Sequence, residues 1–270
     1  MLLALDIGNS TIGAALFPAG EDSLVRLENI PTNVKRPRGE YGPAFRERLQ
    51  SSAIAPGKIT AAIISSVVPA LTDTFLAVVE ETTGIKPLPV SPALFSLLPV
   101  KIAEASAGQV GADIVCNAAG AYARFGKPCV VVNFGTGLTF TAIGATGSLL
   151  GVAIAPGISL ALQSLVSGTA LLSTVPLEAP ASCLGHDTTS AIQSGIVFGA
   201  VGLAESLVKR FIGEMCHRES LQKNDIQVIA TGGLCGLAAP LADIFHHVER
   251  DLIFHGLWHI AKAARLRKEK

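Results

Sequence analysis

Two stretches decide the reading: LLALDIGNSTIGAALF at residues 2–17 and CVVVNFGTGLTFTAIG at residues 129–144. Each runs from aliphatic residues into an acidic or amide side chain, with a glycine two positions later. Small hydroxyl residues follow, and then a second aliphatic run. Asp6 aligns with Asn133 and Gly8 with Gly135, an offset of 127 residues in a chain of 270. Each stretch reads as a β-hairpin closed by a Gly, Ser, Thr and Asn turn. One repeat at half the chain length predicts two similar lobes; a solenoid would repeat at a much shorter period.

The segments between and after the hairpins fit an α/β fold. Residues 59–67 (ITAAIISSV) read as a buried strand, and residues 71–83 and 112–125 as helices. After the second hairpin, Ala155-Pro156-Gly157 is a turn, and helices are expected over 158–172 and 188–217. Residues 226–230 read as a strand ending in Thr231-Gly232-Gly233, and residues 252–266 as a last helix. The lobes are expected at 1–125 and 126–270, with the last helix packing back on the first.

Composition narrows the class. Lys plus Arg number 21 and Asp plus Glu 21, so no charge surplus argues for a nucleic-acid partner. Charged residues are 16% and hydrophobic residues 49%, which predicts extensive burial, part of it against a second subunit. Residues 128–177 carry no charge, yet glycines, prolines, threonines and Asn133 interrupt them before any apolar run of about 20 residues. No membrane segment is expected. The N-terminus lacks the basic start of a signal peptide. Five cysteines without a Cys-x-x-Cys spacing read as reduced thiols in the cytoplasm. His255 and His259 stand four apart on a helix, but without a third ligand they read as packing against Trp258.

Three constellations carry chemistry. In Asp6-Ile7-Gly8-Asn9-Ser10-Thr11, a carboxylate at a strand end precedes a glycine turn. The carboxylate can hold hydrated Mg²⁺ while turn N–H groups and hydroxyls meet phosphate oxygens. The same residues also make an ordinary hairpin turn. Asn133-Phe134-Gly135-Thr136-Gly137 repeats the arrangement. Val110-Gly111-Ala112-Asp113 places a carboxylate at a helix start, where it serves either as a cap or as a base.

Taken together, DIGNST (6–11), SSVVP (65–69), VGAD (110–113), NFGTG (133–137), APG (155–157), LGHDTTSAIQSG (184–195) and TGG (231–233) resemble the type III pantothenate kinases in order and spacing. These enzymes phosphorylate pantothenate with ATP in the first step of coenzyme A synthesis. The resemblance implies two actin-like (ribonuclease H-like) lobes with a nucleotide cleft between them, and a homodimer. It implies Mg²⁺-ATP, with K⁺ or NH₄⁺ as activator. It assigns the ATP turn to Asp6, Ile7, Gly8, Asn9, Ser10, Thr11, Ile12 and Gly13, with Thr136 touching ATP and Asp6 near Mg²⁺. Gly111, Ala112, Asp113, Ile114 and Thr188 fall at substrate positions, with Asp113 as general base and Thr188 reaching pantothenate from the partner subunit.

Two positions depart from that family. Ile114 stands where relatives carry arginine, and Asn133 where they carry the aspartate that binds the monovalent cation. Loss of one charge-assisted hydrogen bond costs about 1.5–3 kcal/mol, so weaker acceptor binding is expected. Asparagine keeps a carbonyl oxygen without the charge, so cation affinity is expected to fall. The segment 101–109, KIAEASAGQ, also lacks the tyrosine and proline usual there. These departures leave two alternatives to an active pantothenate kinase: a non-catalytic nucleotide-binding or regulatory relative, and a kinase of another small alcohol.

Overall fold

The computed structural model describes residues 1–104 and 108–268. Residues 105–107, within KIAEASAGQ, and the last two residues lie outside the described residues. In chain order the strands are β1 (Leu2–Ile7), β2 (Thr11–Phe17), β3 (Val25–Arg26), β4 (Ile30–Pro31), β5 (Ala61–Ser66), β6 (Leu88–Pro89), β7 (Cys129–Phe134), β8 (Gly137–Ile143), β9 (Leu149–Pro156), β10 (Gln227–Thr231) and β11 (His247–Val248). The helices are α1 (Arg38–Ser51), α2 (Pro69–Thr83), α3 (Ala112–Phe125), α4 (Ile158–Ser167), α5 (Thr188–Gln193), α6 (Gly199–Glu219), α7 (Cys235–Ala238) and α8 (Leu252–Lys268). The chain divides into two compact units, Met1–Arg124 with Ile253–Lys270, and Phe125–Leu252.

The first unit is built on a sheet of order β3-β2-β1-β5-β6, with β4 also paired to β2. β1 and β2 form the antiparallel hairpin, and β5 lies parallel to β1. Alternation along β1 sorts its side chains. Leu3, Leu5 and Ile7 join Tyr41 and Phe45 of α1 and Phe75 and Val79 of α2 in one apolar core. The other face bears Asp6, Gly13 and Phe17, and α8 packs there through Phe254, His255 and Trp258. α3 crosses α8 so tightly that a β-carbon on Gly256 would overlap the Cys116 carbonyl.

The second unit has the sheet order β11-β10-β7-β8-β9. β7 and β8 form the second hairpin, and β10 runs parallel to β7. Val130, Val132, Phe134, Phe140, Val228 and Ala230 pack against Val201, Ala204, Val208 and Met215 of α6. Helix continues from α5 to α6 through one π-helical turn, Ser194–Phe198. By length and composition, Thr188–Glu219 could cross a membrane, with a mean hydropathy of 1.5 over an 18-residue window. Its buried residues serve the core of its own unit.

One local expectation changes. Helix α4 stops at Ser167, because Gly168 donates its N–H back to the Ser164 carbonyl at 3.0 Å and closes the last turn. The glycines at 195, 199 and 202 meet nothing: β-carbons built there find no atom within 4 Å. Among the described residues this stripe does not serve helix packing inside the chain.

Candidate active site

In the first unit the hairpin turn is braced from two sides. The Gly8 N–H donates to the Thr11 carbonyl at 3.0 Å, and Thr32 Oγ1 donates to the Gly8 carbonyl at 2.7 Å. The Thr32 N–H reaches the Ser10 carbonyl at 3.0 Å, and the Val67 N–H reaches the Ile7 carbonyl at 3.0 Å. Asn9, Ser10 and Thr11 remain exposed on this fixed frame, as an anion-binding turn requires.

Asp6 lies beneath the turn, in register with Gly13 on β2 and Ser65 on β5. Burial, reinforced by the like charge of Asp113, raises its carboxyl from 3.8 to about 7, and Ser65 and Arg26 pull the other way. No hydrogen bond of ordinary geometry reaches the buried Asp6 Oδ1, Ser65 Oγ or Asn117 Oδ1. A carboxylate beside a second carboxylate, with an unsatisfied oxygen, suits a cation. Mg²⁺ retains most of its water and needs only one or two protein carboxylates. These residues therefore fit a divalent cation. Among the described residues no group of three His, Cys, Asp or Glu could hold a metal. His255 Nδ1 instead lies 2.7 Å from Asp22 Oδ1.

Asp113 opens α3. The Gly111 carbonyl accepts the Val115 N–H at 3.1 Å, which makes Gly111 the cap. The carboxylate turns back over Gly111 and fills the space a β-carbon would need. Burial raises the Asp113 carboxyl, and the N–H groups of Ile114 and Asp113 partly offset this. That combination holds a carboxylate basic enough to accept a proton. Ile114 is 7% exposed, packed within the protein. Beside the start of α3 a cavity of about 380 Å³ is lined by Ser66, Val67, Phe95, Val110, Gly111 and Ala112. Ser66 Oγ accepts from Thr72 Oγ1 at 2.9 Å and from the Val68 N–H at 3.2 Å, fixing the Ser65–Pro69 turn.

In the second unit, glycines bring three backbone segments together. A β-carbon on Gly157 would overlap the carbonyls of Gly135 and Thr136, and the Gly157 N–H donates to the Thr136 carbonyl at 3.0 Å. Gly232, at φ +93°, lies so close that a side chain would overlap Asn133 Oδ1 and the Phe134 carbonyl. Asn133 thus sits between the hairpin and the Thr231-Gly232-Gly233 turn. Thr188 lies exposed at the start of α5, which Asp187 caps by accepting the Ser190 N–H at 2.9 Å.

The structure places Asp6 to Gly13 and Gly111 to Ile114 in the first unit, and Asn133, Thr136 and Thr188 in the second. Sequence reasoning did not find Ser65, Asn117 or Arg26. Ser65 lies in SSVVP, whose register against Asp6 was the available signal. Arg26 gave none, because its approach to Asp6 depends on the β2–β3 pairing.

The sequence model described as type III pantothenate kinase matches residues 2–210. Proteins named type III pantothenate kinase are similar along nearly the whole chain. That of Thermomicrobium roseum is 39% identical over 257 residues, 95% of each chain. That of Treponema pallidum (strain Nichols) is 36% identical over 263 residues, 97% of this chain and 93% of the relative. That of Moorella thermoacetica is 33% identical over 257 residues, 95% and 97%. Among solved structures, a protein described as a Baf family transcriptional activator from Campylobacter jejuni superposes with TM-score 0.55 at 18% identity, over 98% of this chain and 99% of that one. The activator of 2-hydroxyisocaproyl-CoA dehydratase from Clostridium difficile, with bound ADPNP, gives 0.52 at 13% identity, over 100% and 97%. These two likenesses concern the fold alone, an actin-like one.

Proposed function

The chain belongs to the type III pantothenate kinase family, and on that premise we infer that it transfers the γ-phosphoryl group of ATP to the primary hydroxyl of pantothenate. The product is 4′-phosphopantothenate, and the reaction is the first step of coenzyme A synthesis. The observation that carries this reading is the Asp113 carboxylate, held over Gly111 and within electrostatic reach of Asp6 below the phosphate turn.

Phosphoryl transfer needs positioning and charge neutralisation more than covalent help from the protein. The N–H groups and hydroxyls of Asp6 to Gly13 hold the phosphates, and Thr136 contacts ATP. Asp6 holds the hydrated divalent cation, which when bound neutralises phosphate charge. The acceptor enters the cavity beside Gly111 and Ala112, where Asp113 takes the proton from its hydroxyl. That oxygen then bonds to the γ-phosphorus as the bond to the β-phosphate oxygen breaks, releasing ADP. Thr188 contacts pantothenate from a partner subunit.

The chain works as a homodimer in the cytoplasm, with neither membrane nor nucleic acid as partner. The exposed glycine stripe at 195, 199 and 202 supports a second copy as the covering surface. Five free cysteines support a reducing compartment. Asn133 provides a weaker K⁺ or NH₄⁺ site than an aspartate, so the monovalent cation has little effect. The three sequence relatives above, each named type III pantothenate kinase, do not favour the non-catalytic reading or a different alcohol.

The test is direct. Purified protein with Mg²⁺-ATP and pantothenate should yield 4′-phosphopantothenate and stoichiometric ADP. ATP binding without product at millimolar pantothenate would overturn the assignment.

A further inference from the structure

Gly13 stands opposite Asp6 in the β1–β2 ladder. Directly opposed residues of an antiparallel pair point to the same face, so a side chain at 13 would stand beside the Asp6 carboxylate. That space is already occupied. A β-carbon on Gly13 would lie 3.1 Å from Arg26 Nη2 and 3.0 Å from Phe254 Cζ. Arg26 arrives from β3, where it pairs with Ala15 two residues further along the same face.

The guanidinium is held in place. Arg26 Nη2 donates to Asn29 Oδ1 at 2.9 Å, and its central carbon lies 4.4 Å from the centroid of the Phe254 ring. Its charge acts on Asp6, lowering a carboxyl that burial raises. The residue as a whole is exposed, so the charge borders solvent. Residues 6–13 themselves contain no Lys, Arg or His.

We propose that Arg26 is a phosphate-binding residue of the nucleotide site, reaching over Gly13 to supply the positive charge that the turn lacks. The ligand class is the di- or triphosphate chain of a nucleotide. A planar fork of N–H donors matches phosphate oxygens. A guanidinium already ordered by Asn29 and Phe254 loses little freedom on binding. Glycine at 13 is what leaves room for it. This deepens the reading that Asp6 to Gly13 hold the phosphates of ATP, and rests on it.

Calorimetry separates the two claims. Mg²⁺-ATP and adenosine are titrated into the full-length wild type, Arg26→Gln, Arg26→Lys and Gly8→Val, with circular dichroism as the check on folding. Gly8→Val disturbs the turn, since a β-carbon there meets the Thr11 carbonyl at 3.1 Å. Arg26→Gln should weaken Mg²⁺-ATP about tenfold or more and leave adenosine unchanged, with Arg26→Lys in between. Wild-type affinity for ATP should also fall more steeply with NaCl than that of Arg26→Gln. Wild-type ATP affinity in Arg26→Gln, alongside loss of ATP binding in Gly8→Val, would refute the role of Arg26 and leave the turn intact. Equal weakening of ATP and adenosine would refute it as well, as a structural effect. Unaltered ATP binding in Gly8→Val would overturn the turn reading and this proposal with it.

Discussion

Asp113 Oδ1 lies 2.5 Å from the point where a β-carbon on Gly111 would stand. Glycine at 111 is therefore required by the position of the carboxylate, and the two residues act as one device. Gly111→Ala should push the carboxylate out of place while the α3 cap, formed by the Gly111 carbonyl, survives. We expect kcat to fall about a hundredfold or more, comparable to Asp113→Asn, with the circular dichroism spectrum unchanged. A Gly111→Ala enzyme at wild-type kcat would remove Asp113 from the role of base.

The Asp6 carboxyl sets the pH response of the metal-free protein. Folding raises it from 3.8 to about 7, so the folded state binds this proton more tightly than the unfolded chain does. The stability it contributes is complete below about pH 4 and is lost as pH rises through about 7. The effect is on the order of a few kcal/mol. Burial raises Asp113 in the same direction. Urea midpoints measured without metal should drop between pH 5 and pH 8, and Asp6→Asn should flatten much of that slope. An identical slope in the variant would show that Asp6 titrates normally.

Position 114 separates packing from recognition. With 7% exposure the isoleucine belongs to the interior. Ile114→Ala should cost about 2–4 kcal/mol of unfolding free energy, read from urea denaturation. Loss of acceptor affinity with stability untouched would instead make Ile114 a ligand contact.

Local features were legible in the sequence, and distant ones were not. Both hairpins and the Thr231-Gly232-Gly233 turn follow from glycine and hydroxyl spacing along short stretches, and α3 from its apolar periodicity. The end of α4 at Ser167 was missed, because its apolar pattern continues to Leu172 while Gly168 closes the helix. Ser65 joins Asp6 through strand register, and Arg26 through strand pairing and the Phe254 ring of α8. Asn117 lies one helical turn beyond Asp113, but its unsatisfied amide oxygen is visible only once the helix is packed. None of these leaves a mark in local spacing. Ile114 reads as a lost ligand for a carboxylate, and its burial, at 7% exposure, is visible only in the packed structure.

Gly157 lets the end of β9 reach the second hairpin, and its neighbours there are backbone carbonyls that cannot rotate away. Gly157→Ala should therefore destabilise the protein by more than about 2 kcal/mol and weaken Mg²⁺-ATP binding together. Gly151 on the same strand, with nothing within 4 Å of a β-carbon, is the control: Gly151→Ala should be near neutral. Thermal melting distinguishes them, and similar melting temperatures for the two variants would contradict the close approach at 157.

Asn133 offers the sharpest test of the second unit. Its amide oxygen lies against Gly232 and 3.5 Å from a β-carbon position on Gly135, so it faces backbone on two sides. An amide oxygen can ligate a monovalent cation but contributes no charge to hold it. Wild-type protein should melt at the same temperature in KCl and in choline chloride of equal ionic strength. Asn133→Asp restores the negative charge, and K⁺ at a hundredfold excess over its dissociation constant would then add about 2.7 kcal/mol. That corresponds to a rise of several degrees specific to K⁺, accompanied by K⁺-dependent turnover. A K⁺-specific rise already present in the wild type would show that the asparagine binds the cation unaided and that the missing charge does not limit the site.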